Sequence, residues 1–373
     1  MLTRCADLMA VYRSATASSD KKREFAPKFG LGSPLYEHHT TSLVFSDPPL
    51  HTRVRRLLTG ALNQRAVARI ESGLIELVDD LIARLAAQPV PDLIGDFAAR
   101  IPVEVIGSLL DVPHGEREPL QGWSIDILSA LEPIPGPVRL EKGNRAVTDF
   151  LDYLRDLVAR RRRQPGDPEV DVLTRLIQGE TDGERLSEPE LLHNCIFLLN
   201  AGHETTTNLI GNGLEALMRH PDQLQRLVRE PSLIASAVEE LLRFESPLQL
   251  NNRLAVAPIE LPPDPVTGRG VFTIEAGTFV TLGVGAANRD PEVFAEPDRL
   301  DIGRRPNPQL AFGHGAHACA GMNIARLEAR VAIGRLVARY PEIEPAGAPE
   351  RDRRIRFRGF RALPAVLHRR QGD

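Results

Sequence analysis

The residue pattern of this chain predicts a mainly α-helical protein with a minor β region, and three observations carry that reading. Apolar residues recur at three- and four-residue spacing through most of the stretch from Ala66 to Phe244. Leu, Ala and Arg, all good helix formers, dominate those stretches, while aromatic residues make up only 5% of the 373 positions. Short strand-like runs begin only after Pro247.

Composition narrows the class. With 42% hydrophobic and 26% charged residues, the chain can bury a large core. A formal net charge of -4 argues against general affinity for nucleic acid or an anionic membrane, although arginines cluster at Arg53, Arg55 and Arg56 and again from Arg351 to Arg361. The cysteines, Cys5, Cys195 and Cys319, form no CxxC pair, zinc ribbon or disulfide framework. Residues Met1 to Asp7 carry no apolar run of signal-peptide length. The most apolar stretch, Ile196 to Ala201, falls far short of a membrane span. The expectation is a cytoplasmic protein with neither a membrane nor a nucleic-acid partner.

Taken in order, the chain opens with a short helix from Ala6 to Tyr12. The polar stretch Ser14 to Leu43, with Gly30, Gly32 and Pro34, reads as a long loop. Asp47-Pro48-Pro49 suits a helix start, and the helix puts His51 and Arg55, four apart, on one face. Helical periodicity follows over Ala66 to Leu85 and Ile94 to Leu110. The stretch Trp123 to Leu131 breaks at Pro133 to Pro137, and helices are expected from Leu140 to Arg163 and Val170 to Gln178. Ser187-Glu188-Pro189-Glu190 then supplies a Ser cap, a first-turn proline and an acid three residues after the cap. The helix it starts runs to Met218 and is closed by Pro221, about 30 residues or roughly 45 Å.

The middle of that helix reads Asn200-Ala201-Gly202-His203-Glu204-Thr205-Thr206. A glycine, an acid and a hydroxyl inside an apolar helix cost stability. The Thr205 hydroxyl is spaced to bond the Ala201 carbonyl and open the ladder locally. His203-Glu204 begins like a zinc-peptidase H-E-x-x-H motif, but Thr207 occupies the fifth position and excludes that reading. Leu233 to Phe244 is another amphipathic helix, with Glu240 and Arg243 at i, i+3. Strands are expected over Arg253 to Val256, Val271 to Ile274, Thr278 to Leu282 and within Ile355 to Leu367.

Phe312 to Gly321 places one cysteine in a loop with Gly313 and Gly315 before it and Gly321 after it. An apolar helical pattern follows to about Tyr340. Such a loop can turn amide hydrogens towards the sulfur at a helix N-terminus and favour the metal-binding thiolate. On residues alone Cys319 is either an ordinary buried cysteine or a metal ligand.

The ten residues from Phe312 to Gly321 resemble the F-G-x-G-x-H-x-C-x-G haem-binding loop of the cytochrome P-450 family. Asp47 to Arg55 resembles that family's D-P-P-x-H-x-x-x-R helix, Ala201 to Thr205 its A-G-x-E-T, and Glu240 to Arg243 its E-x-x-R. Ala287 to Pro291 is similar to the A-N-R-D-P of its soluble bacterial members. The resemblance implies a single P-450 domain over residues 1–373, lacking the family's first helix and opening strand, with haem b between the long helix and the cysteine helix. It implies Cys319 as the proximal thiolate, Phe312 over the sulfur, and Gly313, Gly321 and Ala201 against the cofactor. His51, Arg55, Arg253 and His317 fall to its propionates. Glu204 and Thr205 take the catalytic role of delivering protons to O2. Arg299 becomes the third member of a buried Glu240–Arg243 cluster.

The same resemblance draws the substrate pocket from the Phe25 to Val44 loop, Ile196, Phe197, Asn200, Leu248, Asn251 and Phe360, and implies a small, largely hydrophobic organic substrate. Asn200 and Asn251 either bond a substrate oxygen or serve protein groups. Electrons are expected from a ferredoxin-type partner with its reductase, docking near Arg53, Arg56 and Arg326, because no flavin, nicotinamide or iron–sulfur motif is present. Three readings stay open here: an O2-dependent monooxygenase, a peroxide-driven peroxygenase, and a haem-binding protein without turnover.

Overall fold

Helices form where the apolar period and the caps agree. The computed structural model describes residues 1–62, 64–169, 171–179 and 185–369. The long helix runs Glu188–Arg219 and starts on the expected reciprocal cap. The Glu190 amide donates to Ser187 Oγ at 3.4 Å and the Ser187 amide donates to a Glu190 carboxylate oxygen at 2.8 Å. The cysteine helix runs Met322–Arg339. The expected start at Val170 lies outside the described residues; the helix there is Val172–Gln178, capped by the Asp171 side chain.

The chain divides into two compact units. One comprises residues 19–74 and 101–204 and is helical. Pro137–Arg163 packs against Glu118–Ser129 and against Pro34–Thr41. Close approach is bought by Gly143, where a side chain would meet Ala130 and Leu35 at 3.1 Å.

The stretch expected as one loop, Ser14 to Leu43, contains the helices Lys22–Phe29 and Pro34–Thr41 and the short strand Ala17–Ser18. The same residues that suggested a loop punctuate the helices. Gly30, at φ 85°, ends the first, and Ser33 with Pro34 starts the second, its Oγ accepting from the Tyr36 amide. Asp47 does not cap the next helix, Leu50–Ala61, with its side chain; that carboxylate accepts from the Ser19 amide at 2.8 Å.

The other unit comprises residues 1–18, 75–100 and 205–373 and holds all the named strands. Its largest sheet is antiparallel, ordered Ala17–Ser18, Leu250–Ala255, Phe279–Gly283, with Asn251 opposite Leu282 and Arg253 opposite Val280. The helix Cys5–Arg13 belongs to the same core, in which Leu8, Val11 and Tyr12 lie with Ala255, Ile259 and Leu282. Among the described residues three two-stranded ladders accompany it, with Ile259–Leu261, Glu342–Pro345 and Glu350–Arg351 as strands the residue pattern did not announce. Among the described residues no helix is long and apolar enough to cross a membrane.

Candidate functional site

The cysteine loop is a tight fold of its own. Gly313 and Gly315 take positive φ, 67° and 74°, which side-chain-bearing residues rarely adopt. A side chain at Gly315 would also lie 2.5 Å from the Tyr12 carbonyl oxygen. The Cys319 amide donates to the Phe312 carbonyl at 2.8 Å, closing the loop, and the Ala325 amide donates to Gly321 to begin the helix. Cys5 and Cys195 are buried, whereas Cys319 is half-buried. A side chain at Gly321 would meet nothing within 4 Å, and one at Gly313 only the His317 carbonyl at 3.9 Å. Cys319 is thus only partly covered, in a closed loop that leads directly into the helix Met322–Arg339. Burial pushes the Cys195 thiol up to about 12, which keeps that cysteine a protonated apolar side chain.

The loop rests on a satisfied ionic network. The Leu310 amide donates to the Asn288 side-chain oxygen at 2.7 Å, and the Asn288 carbonyl accepts from Arg243 at 2.9 Å. Arg243 and Glu240, both fully buried, form a two-bond pair at 2.7 and 2.8 Å. The third member is Arg304 and not Arg299: Arg304 Nε donates to both Glu240 oxygens at 3.1 Å. Arg299 contributes only its carbonyl, which accepts from Arg243 and Arg304, while its exposed side chain pairs with Glu296.

Charge also gathers beside the sulfur. The Arg326 guanidinium lies 4.6 Å from the Phe312 ring centre and pairs with Glu239 at 2.6 and 2.9 Å. Its pKa is raised, first by the Glu239 bond and also by the charge of Cys319. Arg253 is buried in the three-stranded sheet, 5.6 Å from the Tyr12 ring centre, donating to Asn251 Oδ1 at 3.0 Å and the Asn252 carbonyl at 2.9 Å. Tyr12 thus links the Arg253 strand to the Gly315 turn. His317 is half-buried within the loop.

In the long helix the expected site residues share one turn pattern. Most of the helix from Leu191 onward is buried, but Phe197, Leu198, Gly202 and Thr205 are only partly covered and Ala201 is exposed. Spacing of three and four places these on one stripe, an uncovered band in mid-helix. Gly202 lets Ile106 approach: a side chain there would meet Ile106 Cδ1 at 2.4 Å. His203 and Glu204 are buried at 3% and 5% exposure. On Leu50–Ala61, His51 is buried with Val54, Leu57 and Leu58, and Arg55 is half-buried one turn on.

The remaining expected pocket residues are spread over both units. Ile196 and Asn200 are buried on the long helix, with Phe197 partly covered. Leu248 bridges to Phe357, and Phe360 is buried under the Arg351 guanidinium, 4.2 Å from its ring centre. Asn251 spends its oxygen on Arg253 and the Asn252 amide. Two expected docking arginines are engaged: Arg53 holds the Glu190 carboxylate at 2.5 and 3.1 Å, and Arg326 holds Glu239. Arg56 is exposed. Residue-level reasoning named the Phe25 to Val44 stretch but not His38 within it, which lies beside Asn200, nor His193, which packs on His38. The adjacent His38-His39 pair was the available signal, hidden by reading that segment as a loop.

A sequence profile described as Cytochrome P450 matches residues 121–354. The chain is 42% identical over 343 residues to a protein named Vitamin D(3) 25-hydroxylase from Pseudonocardia autotrophica, spanning 92% of this chain and 81% of that one. It is 34% identical to a 6-deoxyerythronolide B hydroxylase from Saccharopolyspora erythraea, over 94% of this chain and 85% of that one. Among solved structures, P450BioI in complex with a hexadec-9Z-enoic acid-ligated acyl carrier protein aligns with a TM-score of 0.90 at 33% identity, covering 98% of this chain and 92% of that one. The helical fold and the cysteine loop are those of a haem-thiolate protein. The chain belongs to the cytochrome P450 family: it is a monooxygenase, and its cofactor is haem b with a cysteine thiolate ligand.

Proposed function

We propose that this monooxygenase inserts one oxygen atom of O2 into a C–H bond of a small, largely hydrophobic organic molecule, with Cys319 as the haem ligand. The observation that carries the assignment is the half-buried Cys319 in its closed glycine loop, against two cysteines that are buried. Bound haem supplies the oxygen-activating chemistry, and a thiolate ligand pushes electron density towards the iron.

This chain's residues hold and serve that group. The closed Phe312–Cys319 turn fixes the direction of the sulfur, and Arg326 beside it favours the thiolate. Phe312, Gly313 and Gly321 line the cysteine loop, with Ala201 offering a small side chain on the uncovered band. His51, Arg55, Arg253 and His317 supply cations and donors for two propionates. Glu204 and Thr205, adjacent in mid-helix, pass protons to O2, the buried acid holding them and the hydroxyl orienting them. The names of two relatives, a vitamin D(3) 25-hydroxylase and a 6-deoxyerythronolide B hydroxylase, support hydroxylation of an organic substrate. Phe197, Ile196, Leu248 and Phe360 supply apolar lining.

Electrons come from a ferredoxin-type partner and its reductase in the cytoplasm. Arg56 is exposed on the helix Leu50–Ala61 and is the docking contact the test addresses, while Arg53 pairs with Glu190 and Arg326 with Glu239.

The test is the carbon monoxide spectrum of the reduced protein. A thiolate-type Soret shift is expected in the native chain and its loss in Cys319→Ala; a native spectrum without that shift overturns the reading. Turnover with an acidic ferredoxin should fall as ionic strength rises and should fall in Arg56→Glu. Salt-independent turnover would remove the docking proposal.

A further inference from the structure

Three buried polar side chains in the residue 19–74 and 101–204 unit do not belong to the cofactor machinery: His38, His193 and Asn200, at 2%, 7% and 4% exposure. His38 projects from the helix Pro34–Thr41, which is anchored by the Leu35 amide donating to Asn144 Oδ1 at 3.0 Å. Its Nε2 lies 3.4 Å from Asn200 Nδ2, and its ring centre 5.7 Å from that of His193. His38 also packs on His39 with ring centres 4.8 Å apart, and His39 in turn lies 5.3 to 5.7 Å from the rings of Phe25, Phe29 and Phe45. His193, Phe197 and Asn200 stand at i, i+4 and i+7, so one stripe of the long helix leads from this cluster through Asn200 to Glu204.

The hydrogen-bond inventory is what separates this cluster from a structural one. His38 Nδ1, His193 Nδ1 and Asn200 Oδ1 have no protein hydrogen-bond partner. Leaving such groups unsatisfied costs about 1–3 kcal/mol each. Asn194, on the same helix, shows the contrast: its oxygen accepts from the Leu43 amide at 2.9 Å and its nitrogen donates to the Glu190 carbonyl at 2.7 Å. Among the described residues no group of His, Cys, Asp or Glu is placed to hold a metal ion, so the histidines do not form a cation site.

We propose that His38 and Asn200 form a neutral subsite that binds a hydroxyl or carbonyl oxygen of the substrate. The proposal deepens the reading of a hydrophobic substrate and rests on it. An imidazole and a carboxamide offer a donor and an acceptor without charge, the complement of a hydroxyl or carbonyl in a largely apolar pocket. Burial, with His39 and His193 adding to it, holds the His38 pKa well below its ordinary value, so the ring is neutral near pH 7. His193 is lowered to about 4 by burial and by the charge of Arg155, an exposed residue already paired with Asp152. His38 and Asn200, both neutral, give a carboxylate no charge to pair with.

The experiment measures ligand-induced Soret shifts of the holoenzyme with two matched series: dodecane, dodecanol and dodecanoate; androstane, androstanol and androstanedione. In the native protein the alcohol or ketone should bind about tenfold tighter than its parent alkane. His38→Phe and Asn200→Leu should each bring the ratio of alcohol to alkane affinity down to about one, while His38→Gln, which keeps a donor and an acceptor, should retain part of it. The proposal fails if oxygen adds nothing in the native protein, if the preference survives both variants, or if dodecanoate binds more tightly than dodecanol. Alkane binding without an oxygen preference defeats the subsite alone. No shift with any member defeats the hydrophobic-substrate reading as well.

Discussion

Two buried polar clusters sit one in each unit, and they are built on opposite terms. Behind the cysteine loop, the Glu240 carboxylate accepts from Arg243, Arg304, the Asp301 amide and Asn307. Arg243 gives its remaining bonds to the carbonyls of Asn288, Pro297 and Arg299. Around His38 the groups are neutral and three atoms have no protein partner. A fully satisfied charge network holds backbone segments in one arrangement, here the segments that carry the loop. A neutral cluster with spare donors and acceptors is a place where protein structure has left bonding to something else.

The comparison is broken most severely at Glu240. Glu240→Ala leaves Arg243 and Arg304 without their anion, and a broken buried pair costs about 3–5 kcal/mol. Denaturant unfolding should show it, together with loss of haem retention. Arg304→Ala should weaken stability in the same direction, whereas Arg299→Ala should stay within about 0.5 kcal/mol, as surface changes do. Equal effects at Arg299 and Arg304 would reverse the assignment of the third member.

A second test uses Glu328 on the cysteine helix, 2% exposed and bonded to Thr206. Burial raises its pKa to about 8, with the Thr206 bond opposing. The folded state therefore keeps a proton that the unfolded chain releases near pH 4.3, and stability should fall as pH rises from about 4.3 to about 8. Glu328→Gln should flatten that decline, read from melting temperatures across the range.

The smallest expected effect has the opposite sign and lies in the histidine cluster. His193, lowered to about 4, stays neutral in the fold while an unfolded histidine protonates near pH 6.5. Stability is present above about pH 6.5 and lost as pH falls towards 4, with a slope from this residue no steeper than about 1.4 kcal/mol per pH unit. His193→Phe should reduce that acid slope; an unchanged slope would show that the residue is not held neutral.

Much of this was legible along the chain because the governing interactions are local. The Ser187–Glu190 cap acts within a few residues and is present in the structure, as are the helix carrying His51 and Arg55, the long helix through Ala201 to Thr205 and the helix that follows the cysteine loop. The helices within Ser14 to Leu43 were missed because Gly30 and Pro34 end and start helices with the same residues that make loops.

What spacing does not contain is which distant partner a side chain meets. Arg299 and Arg304 are both arginines about 60 residues after Glu240, and only the path of the backbone between them sends one guanidinium inward. His38 and Asn200 stand 162 residues apart, and no periodicity links them. Local hydrogen-bond geometry and apolar period write the helices and the cysteine loop into the sequence. The pairing of buried polar groups is settled by packing, because its energy depends on which groups lose water together.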